Sequence, residues 1–202
     1  MLYSFGRKIF VFIFKHFSKW QIRGAENIPK DGPVVLVANH VSYWDPIVLA
    51  AVSPRKVHFM AKAELFKIPL LGPFIRACGT FPVDRKKSDR AALKAAAEIL
   101  ENKAVLGMFP EGTRIRTGEL GEFKMGAVLI AAKANAPIVP IALINTPKIF
   151  SKGFFRPFYV VVGKPLIWGK KDNQKISSKD IQQVTDQIKA LILLQMKEFK
   201  DF

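Results

Sequence analysis

The feature of this sequence that most constrains its fold is a series of short, almost wholly apolar runs separated by helix-like stretches. The runs rich in strand-forming residues are 33–38, 57–61, 79–83, 105–109, 138–144 and 158–162. The helix-like stretches are 47–52, 89–102, 124–135 and 179–199. Because the apolar runs show little alternation with polar residues, their strands are expected to be buried on both faces. The pattern predicts an α/β domain with a mostly buried mixed or parallel sheet covered by helices.

Composition and charge limit the class of protein. Half of the residues are apolar and 17 are Phe, which excludes a disordered chain. A length of 202 residues suits a single domain with a real core. The formal net charge of +16 predicts an anionic partner. By itself it does not choose among nucleic acid, an acidic lipid surface, a phosphorylated substrate and an acidic protein.

The single cysteine, Cys78, cannot form an intrachain disulfide. The fold is therefore expected not to depend on oxidation, and a location on the cytoplasmic side is the simpler interpretation. The spacing of His, Cys and carboxylate residues does not fit a metal site, so no metal requirement is expected.

The N-terminal segment 1–20 is expected to be an amphipathic membrane-interface helix, followed by the main domain at 21–202. Its longest apolar run, 9–14, is far short of the roughly 20 residues that a membrane span needs. On a helical wheel one broad face carries Leu2, Phe5, Ile9, Phe12, Ile13, Phe17 and Trp20, widened by Phe10 and Phe14. The opposite stripe carries Arg7, Lys8, Lys15 and Lys19. This arrangement is typical of a helix lying in the headgroup layer, and the alternative is a helix packed on the protein's own core.

A polar segment follows the apolar run 34–38 and contains His40 and Asp45. Polar residues at the carboxyl end of a strand lie where α/β sheets usually bind ligands. Two residues five apart share no face of a strand or helix, so these side chains can meet only through a turn. Asp45 precedes Pro46 and is predicted to cap a helix there. The plain alternative is that Asp45 is only a cap and His40 only a polar loop residue.

Three further segments accompany the His-x4-Asp pattern. Phe-Pro-Glu-Gly-Thr-Arg at 109–114 follows another apolar run, Arg85 ends the segment 79–85, and 136–141 opens a proline-bearing strand. Taken in order, the four blocks resemble the motifs of the glycerolipid acyltransferase family, in particular its bacterial lysophosphatidic acid acyltransferases. They extend from Asn39 to Ile141, about half of the chain.

The resemblance implies that His40 is the catalytic base and Asp45 its partner. The chemistry is sensible in its own right, because imidazole, with an ordinary pKa of about 6.5, can take a proton from an alcohol near neutrality. An aspartate would fix the tautomer and favour the imidazolium, as in a serine triad. Direct transfer without an acyl-enzyme follows, with Ser42 in turn hydrogen bonds and Cys78 a small buried residue.

The resemblance also implies a phosphate site. Arg114 would hold the phosphate, because a guanidinium matches it with two parallel hydrogen bonds. Glu111 would hold the loop, Gly112 would permit close backbone approach, and Thr113 belongs to the same block. The alternative for Arg114 is a solvated surface charge.

Two more basic residues are candidates for the same region. Arg85 is expected to add to the phosphate pocket, as the resemblance implies. Lys62, at the end of the run 57–61, is expected to contact either the phosphate or the acyl donor.

The implied reaction moves a fatty acyl group from an acyl carrier protein or coenzyme A thioester to the free hydroxyl of lysophosphatidic acid, giving phosphatidic acid. The thioester is a co-substrate, and no cofactor is expected. Glycerol 3-phosphate, another lysophospholipid or a lyso-aminolipid stays open as the acceptor. The donor, chain length, oligomeric state and role of the C-terminal third are also open.

The expected partners are the lipid acceptor, the acyl donor and an anionic membrane surface, with the protein peripheral or monotopic on the cytoplasmic face of the cell membrane. A non-enzymatic nucleic-acid-binding protein is the alternative from another class. It is disfavoured because the sequence contains no recognisable nucleic-acid-binding motif and its aromatic residues concentrate in the N-terminal helix.

Overall fold

The computed structural model describes residues 2–84, 89–115, 117, 119–168 and 176–198. The helices are α1 (Leu2–His16), α2 (Asp45–Val52), α3 (Leu71–Ala77), α4 (Arg90–Glu101), α5 (Gly126–Lys133) and α6 (Ser178–Lys197). The strands are β1 (Gln21–Arg23), β2 (Val34–Ala38), β3 (Val57–Lys62), β4 (Phe81–Val83), β5 (Val105–Met108), β6 (Ile138–Ile144), β7 (Phe150–Ser151), β8 (Phe154–Phe155) and β9 (Tyr159–Val162). Short 3₁₀ helices lie at Ala25–Asn27, Ala63–Lys67 and Thr146–Lys148.

The central sheet has the order β1-β9-β6-β2-β5-β3-β4. Strand β2 pairs in parallel with both β5 and β6, and β3 pairs in parallel with β5 and β4. Strand β9 runs antiparallel to β6 and parallel to β1. The sheet is therefore mixed and mostly parallel, and the predicted α/β class is confirmed.

Both faces of the sheet are covered, as the continuous apolar strands predicted. Along β2, Val35 and Val37 point into one core cluster while Val34, Leu36 and Ala38 point into the other. The first cluster is completed by α4, α5 and α6, and the second by α1 and α2. Successive side chains of a strand point to opposite faces, so every residue of this central strand is buried.

The predicted elements are present with small shifts at their ends, and several short elements were not predicted. Strand β4 begins at Phe81 instead of at residue 79, because Gly79 adopts a left-handed conformation (φ 89°) just after α3. Helix α3, strand β1 and the two-stranded hairpin β7–β8 are additions. Each is seven residues or shorter, so its sequence shows too few periods to indicate an element.

Helix α1 packs one side against the protein. Phe14 is fully buried, with ring centroids 5.1 Å from Phe158 and 6.2 Å from Trp44. The guanidinium of Arg7 donates to the carbonyls of Ala50 and Ser53, at 3.2 and 2.9 Å. Arg7 was predicted to share one basic stripe with Lys8 and Lys15, but it binds the carboxyl end of α2 while those two lysines are exposed.

The other side of α1 remains exposed. Phe5 is 66% exposed, Phe12 57%, and Phe17, just beyond the helix, 56%. The helix ends at His16 instead of near Trp20, since Lys19 takes a positive φ of 45°. No helix among the described residues is long and apolar enough to cross a bilayer. Membrane binding by this segment, and a division of the chain at residue 20, stay predictions.

Candidate active site

The site lies at the edge of the sheet where β2, β5 and β6 end. These three strands are parallel neighbours, so the loops that follow them meet at one edge. The loop after β2 carries His40, the loop after β5 carries Glu111 and Arg114, and the turn after β6 carries Thr146.

The first anchor of the β2 loop is the side chain of Asn39, which is completely buried. Its amide nitrogen donates to the carbonyl of Leu143 at 2.9 Å, and its amide oxygen accepts from the Leu143 N–H at 2.7 Å. The two bonds join the end of β2 to β6. They fix the backbone immediately before His40.

His40 and Asp45 form a hydrogen-bonded pair. The distance from His40 Nδ1 to Asp45 Oδ2 is 2.8 Å, with the histidine side chain 14% exposed and the aspartate fully buried. An ionised carboxylate only accepts hydrogen bonds, so Nδ1 must carry the hydrogen in this pair. In the neutral imidazole with this tautomer Nε2 has the free lone pair, which is what a general base needs.

Four donors converge on the Asp45 carboxylate. Besides His40 Nδ1, its Oδ2 accepts from the N–H groups of Val41 and Ser42, each at 2.7 Å. Its Oδ1 accepts from the Thr146 hydroxyl at 2.5 Å. These bonds compensate for burial and hold the carboxylate in one orientation toward the imidazole.

The predicted capping role of Asp45 was wrong. Asp45 is the first residue of α2, and Trp44 occupies the cap position without a side-chain cap bond. The Asp45 carboxylate turns back to the loop before the helix, where it binds the amides of residues 41 and 42. Pro46 is the second residue of α2, although proline was predicted at the first helical position.

Phe109 fixes the plane of the imidazole. Its ring stacks on His40 with centroids 4.2 Å apart and an interplanar angle of 21°. Phe59 lies next in line, with its ring centroid 6.2 Å from that of Phe109. The stack covers one side of His40 with apolar surface.

Glu111 connects the two main loops. It is buried, and its Oε2 accepts from the His40 N–H at 2.8 Å while its Oε1 accepts from the Gly121 N–H at 3.1 Å. Burial raises the pKa of the Glu111 carboxyl above its ordinary value, and the two amide donors oppose that shift. The Ile115 N–H also donates to the carbonyl of His40, at 2.8 Å. The backbone of His40 is thus bound on both sides by the loop after β5.

Arg114 lines a cavity beside this loop. Its guanidinium carbon lies 3.4 Å from the centre of the Tyr43 ring, a cation–π contact that positions the side chain. The cavity has a volume of about 680 Å³. It is lined by Arg114, Tyr43, Lys148, Asn145 and residues on both sides of His40 in the sequence. Arg114 therefore faces a cavity, which a solvated surface charge would not require.

A second cavity, of about 440 Å³, lies on the Phe109 side of the histidine. Its lining is largely apolar and includes Met60, Val83, Leu93, Met108 and Leu129. Gly112 and Lys124 also line it. A Cβ on Gly112, which has a φ of 68°, would lie 3.2 Å from Lys124 Nζ. His40 thus lies between two cavities with largely apolar linings, and the first of them also presents the cations Arg114 and Lys148.

The remaining candidates are placed differently. Lys62 lines neither cavity, and its exposed ammonium is 3.1 Å from Glu64 Oε1. Thr113 is exposed, and Arg85 lies outside the described residues. The Ser42 hydroxyl accepts from the Trp44 N–H at 3.2 Å, a turn hydrogen bond of the predicted kind.

Cys78 is only half-buried, although a buried position was predicted. It follows the last residue of the short helix α3, which leaves it near the surface. Burial still raises the pKa of its thiol, with a smaller opposing effect from Lys56. A raised pKa disfavours the nucleophilic thiolate.

Comparison with known proteins identifies the family of this chain. The family model described as Acyltransferase matches residues 19–144. The chain belongs to the acyltransferase family. The matched region contains His40, Asp45, Glu111 and Arg114, and it also extends to the end of β6.

Several relatives are named 1-acyl-sn-glycerol-3-phosphate acyltransferases. A 1-acyl-sn-glycerol-3-phosphate acyltransferase of Bacillus subtilis is 34% identical over 150 residues, which cover 72% of this chain and 73% of the relative. A chloroplastic one of Brassica napus is 38% identical over 164 residues, covering 77% and 47%. The chain spans about half the length of this plant relative and of one from Arabidopsis thaliana.

A solved structure shares the fold. The crystal structure of the 1-acyl-sn-glycerophosphate acyltransferase PlsC from Thermotoga maritima matches with a TM-score of 0.76 and 28% identity. The match covers 98% of this chain and 78% of that protein.

Proposed function

We propose that this acyltransferase transfers a fatty acyl group from a thioester to the free hydroxyl of lysophosphatidic acid and so forms phosphatidic acid. The observation that carries the proposal is the His40 imidazole, held at Nδ1 by a fully buried aspartate beside a cavity lined by Arg114. The names of the relatives support the same acceptor. The lyso acceptor supplies the hydroxyl, so the enzyme needs no nucleophile of its own.

The proposed reaction has two proton transfers. His40 Nε2 takes the proton of the acceptor hydroxyl while the hydroxyl oxygen attacks the thioester carbonyl. The C–S bond then breaks, and the leaving thiolate receives the proton from the imidazolium. The products are an ester and a free thiol. Asp45 stabilises the imidazolium that forms between the two steps.

The donor is proposed to be an acyl thioester of acyl carrier protein or of coenzyme A, with no further cofactor. Both donors carry negative charge, and a chain with a net charge of +16 attracts either of them. The chemistry assigned to His40 needs only the proton of the acceptor and the thiol as leaving group.

The location is proposed to be peripheral, on the cytoplasmic face of the cell membrane. The exposed side of α1 presents Phe5 and Phe12 together with Lys8 and Lys15, and Phe17 is exposed just beyond the helix. Aromatic side chains with neighbouring cations bind to an anionic headgroup layer. This placement would let the enzyme take its acceptor without drawing the whole acyl tail into water.

The test of the proposed function is a lipid-product assay that offers both thioesters with a panel of acceptors. The panel contains lysophosphatidic acid, glycerol 3-phosphate, a lysophospholipid with a larger headgroup and a lyso-aminolipid, and mass spectrometry identifies the product. Phosphatidic acid is expected as the main product. A preference for an acceptor without a phosphate would contradict the assignment.

Replacing Arg114 by alanine is expected to raise the KM for lysophosphatidic acid by about 10- to 100-fold, the effect of losing a charge-assisted hydrogen-bonded pair. The KM for the donor should change less. Arg114→Lys should restore little, because an ammonium offers neither the two-pronged geometry nor the same stacking on Tyr43. Steady-state kinetics with each substrate varied in turn measures both constants.

The matched control is Arg156→Ala, which removes an exposed arginine outside both cavities. It should leave both KM values unchanged. Equal losses in Arg114→Ala toward acceptors with and without phosphate would contradict a phosphate-binding role.

Replacing the three exposed aromatics of the N-terminal segment, Phe5, Phe12 and Phe17, by serine is expected to weaken vesicle binding by at least about tenfold. Each substitution removes an aromatic side chain whose full burial in the membrane would contribute roughly 1.5–3 kcal/mol to binding. Co-sedimentation with anionic vesicles measures the binding. Activity on a short-chain, soluble acceptor should survive, since Phe14 and the rest of the packed side of α1 are unchanged.

Charge reversal measures the electrostatic contribution to vesicle binding separately from the apolar one. Lys8→Glu with Lys15→Glu should weaken binding to anionic vesicles much more than to neutral ones, and salt should act in the same way. A serine variant that sediments with vesicles as well as the unmodified protein would mean that α1 does not anchor it.

A further inference from the structure

The connection between β3 and β4 carries a cluster of exposed apolar side chains. It comprises the 3₁₀ helix Ala63–Lys67, a tight turn and α3. Leu70 is 89% exposed, Phe74 52% and Ile68 45%, and Leu65 and Leu71 are each 38% exposed. We call these five residues the apolar turn. Large apolar side chains grouped on a surface usually mark a site of interaction.

The backbone holds Leu70 outward. Leu70 has φ 64° and ψ −46°, and the Leu71 N–H donates to the carbonyl of Pro69 at 2.7 Å. This is a γ-turn of the strained kind, which a bulky residue rarely adopts. Such strain tends to persist where a function needs it. The fold therefore presents the apex leucine to solvent through a defined conformation.

The base of the turn is closely packed. A Cβ on Gly72 would collide with the carbonyl of Phe66, so the start of α3 lies directly against the preceding 3₁₀ helix. The Arg76 guanidinium carbon lies 5.0 Å from the centre of the Phe66 ring. The exposed residues thus project from a compact base.

The chain segment that carries the apolar turn is basic. The stretch from Lys56 to Cys78 contains Lys56, Lys62, Lys67 and Arg76, and a single acidic residue, Glu64. An apolar apex flanked by cations is complementary to an anionic headgroup layer above acyl chains. A cleft on another protein would need to match both the protruding leucine and the excess of basic residues in this segment.

The amino end of α1 lies near the end of α3, the helix that follows the apolar turn. The Tyr3 hydroxyl of α1 accepts from the Val57 N–H at the start of β3, at 3.0 Å. Lys56 Nζ lies 5.7 Å from the centre of the Tyr3 ring. A Cβ on Gly79, just after α3, would lie 2.7 Å from Lys56 Cε. Lys56 thus connects the amino end of α1, where Leu2 and Phe5 are exposed, to the carboxyl end of α3.

We propose that the apolar turn is a second lipid-inserting element, so that the protein docks on an anionic membrane at two places: the exposed side of α1 and the turn around Leu70. The inference rests on the proposed membrane-surface function. The turn follows the carboxyl end of β3, and β3, β5 and β2 are parallel neighbours. Its insertion therefore brings the edge of the sheet that carries His40 to the lipid surface.

The experiment places a polarity-sensitive fluorophore at residue 70 of the full chain. Leu70→Cys is made in a Cys78→Ser background and labelled with a nitrobenzoxadiazole probe. Vesicles contain phosphatidylcholine and phosphatidylglycerol in a two-to-one ratio, with or without doxyl-labelled acyl chains. Ile167→Cys in the same background is the matched control, since Ile167 is 88% exposed and lies near the amino end of β6, where Leu166 pairs with Ile138. Phe74→Cys provides a second labelling position in the turn.

The probes at residues 70 and 74 are expected to shift to the blue, brighten several-fold and be quenched by the doxyl chains, while the probe at 167 stays unchanged. Leu70→Ser with Phe74→Ser should weaken vesicle binding by about tenfold or more. These readouts need no catalysis. If the turn probes stay in water while the labelled protein sediments with vesicles and forms phosphatidic acid, the inference fails and the proposed function stands.

Two other outcomes would also contradict the inference that the apolar turn inserts into lipid. A protein that makes phosphatidic acid from soluble substrates but does not bind vesicles at all would overturn the docking inference alone. A dimer in lipid-free solution that Leu70→Ser dissociates, without a change in vesicle binding, would assign the turn to a second copy of the chain.

Discussion

Replacing His40 by alanine is expected to lower kcat for acyl transfer by about 10²- to 10⁴-fold, the range over which a general base contributes. The reason is specific to the geometry: Asp45 holds Nδ1 at 2.8 Å and Phe109 stacks on the ring, so Nε2 is the basic atom left for the acceptor. The measurement is the rate of phosphatidic acid formation with saturating donor and acceptor.

The control for this variant is its fold. The His40 backbone bonds to Glu111 and Ile115 do not involve the side chain, so they are expected to persist in alanine. Circular dichroism and thermal unfolding should therefore stay close to those of the unmodified protein. A folded His40→Ala variant that keeps more than a tenth of the activity would contradict the role of the base.

Replacing Asp45 by asparagine is expected to be the second most damaging change, with a loss in kcat of roughly 10²- to 10⁴-fold. The carboxylate accepts from four donors, and an amide nitrogen placed at either oxygen position would face one or more of them. The imidazole would then lose the partner that sets its tautomer. The same kinetic assay, with unfolding measured in parallel, separates the catalytic loss from a loss of stability.

Thr146→Val is the matched control for Asp45. It removes one donor to Oδ1 and leaves the contact of Oδ2 with His40 in place. A loss of activity much smaller than that of Asp45→Asn is expected, with a free energy of unfolding lower by about 1–3 kcal/mol for the unsatisfied acceptor. An Asp45→Asn variant as active as Thr146→Val would show that the pairing with His40 is not required.

The sequence predicted the sheet because its central strands are continuous apolar segments. The runs 34–38 and 138–144 correspond to β2 and β6, which are buried almost throughout. The order of the strands was not predictable in the same way. The run 158–162 predicted strand β9 but not its antiparallel pairing with β6, and β1 is a three-residue edge strand, too short for a periodic signal.

The main residues of the site were predicted through the order of their motifs. Thr146 was missed, although the rule that suggested His40 applies to it as well: it is a polar residue just beyond the end of a buried strand. Only the adjacency of β2 and β6 shows that its hydroxyl reaches Asp45. The capping prediction failed for a related reason, because local sequence rules cannot weigh four donors brought together from two loops.

The N-terminal helix shows a second limit of sequence reasoning. A helical wheel groups Phe12 and Phe14 on one broad apolar surface, but the structure buries Phe14 and leaves Phe12 more than half exposed. Which part of an apolar surface packs on the protein depends on where α2 and the sheet lie. The alternatives of core packing and exposure therefore each describe one side of the same helix.

The most direct test of acyl transfer without an acyl-enzyme is a two-stage mixing experiment. The protein is first incubated with the acyl thioester alone and its intact mass is recorded, after which lysophosphatidic acid is added and the lipid product is followed. The expected result is an unmodified protein mass in the first stage and phosphatidic acid only after the acceptor is added. An acyl adduct on Ser42, Cys78 or any other residue that forms without acceptor and then passes to the lipid would contradict it.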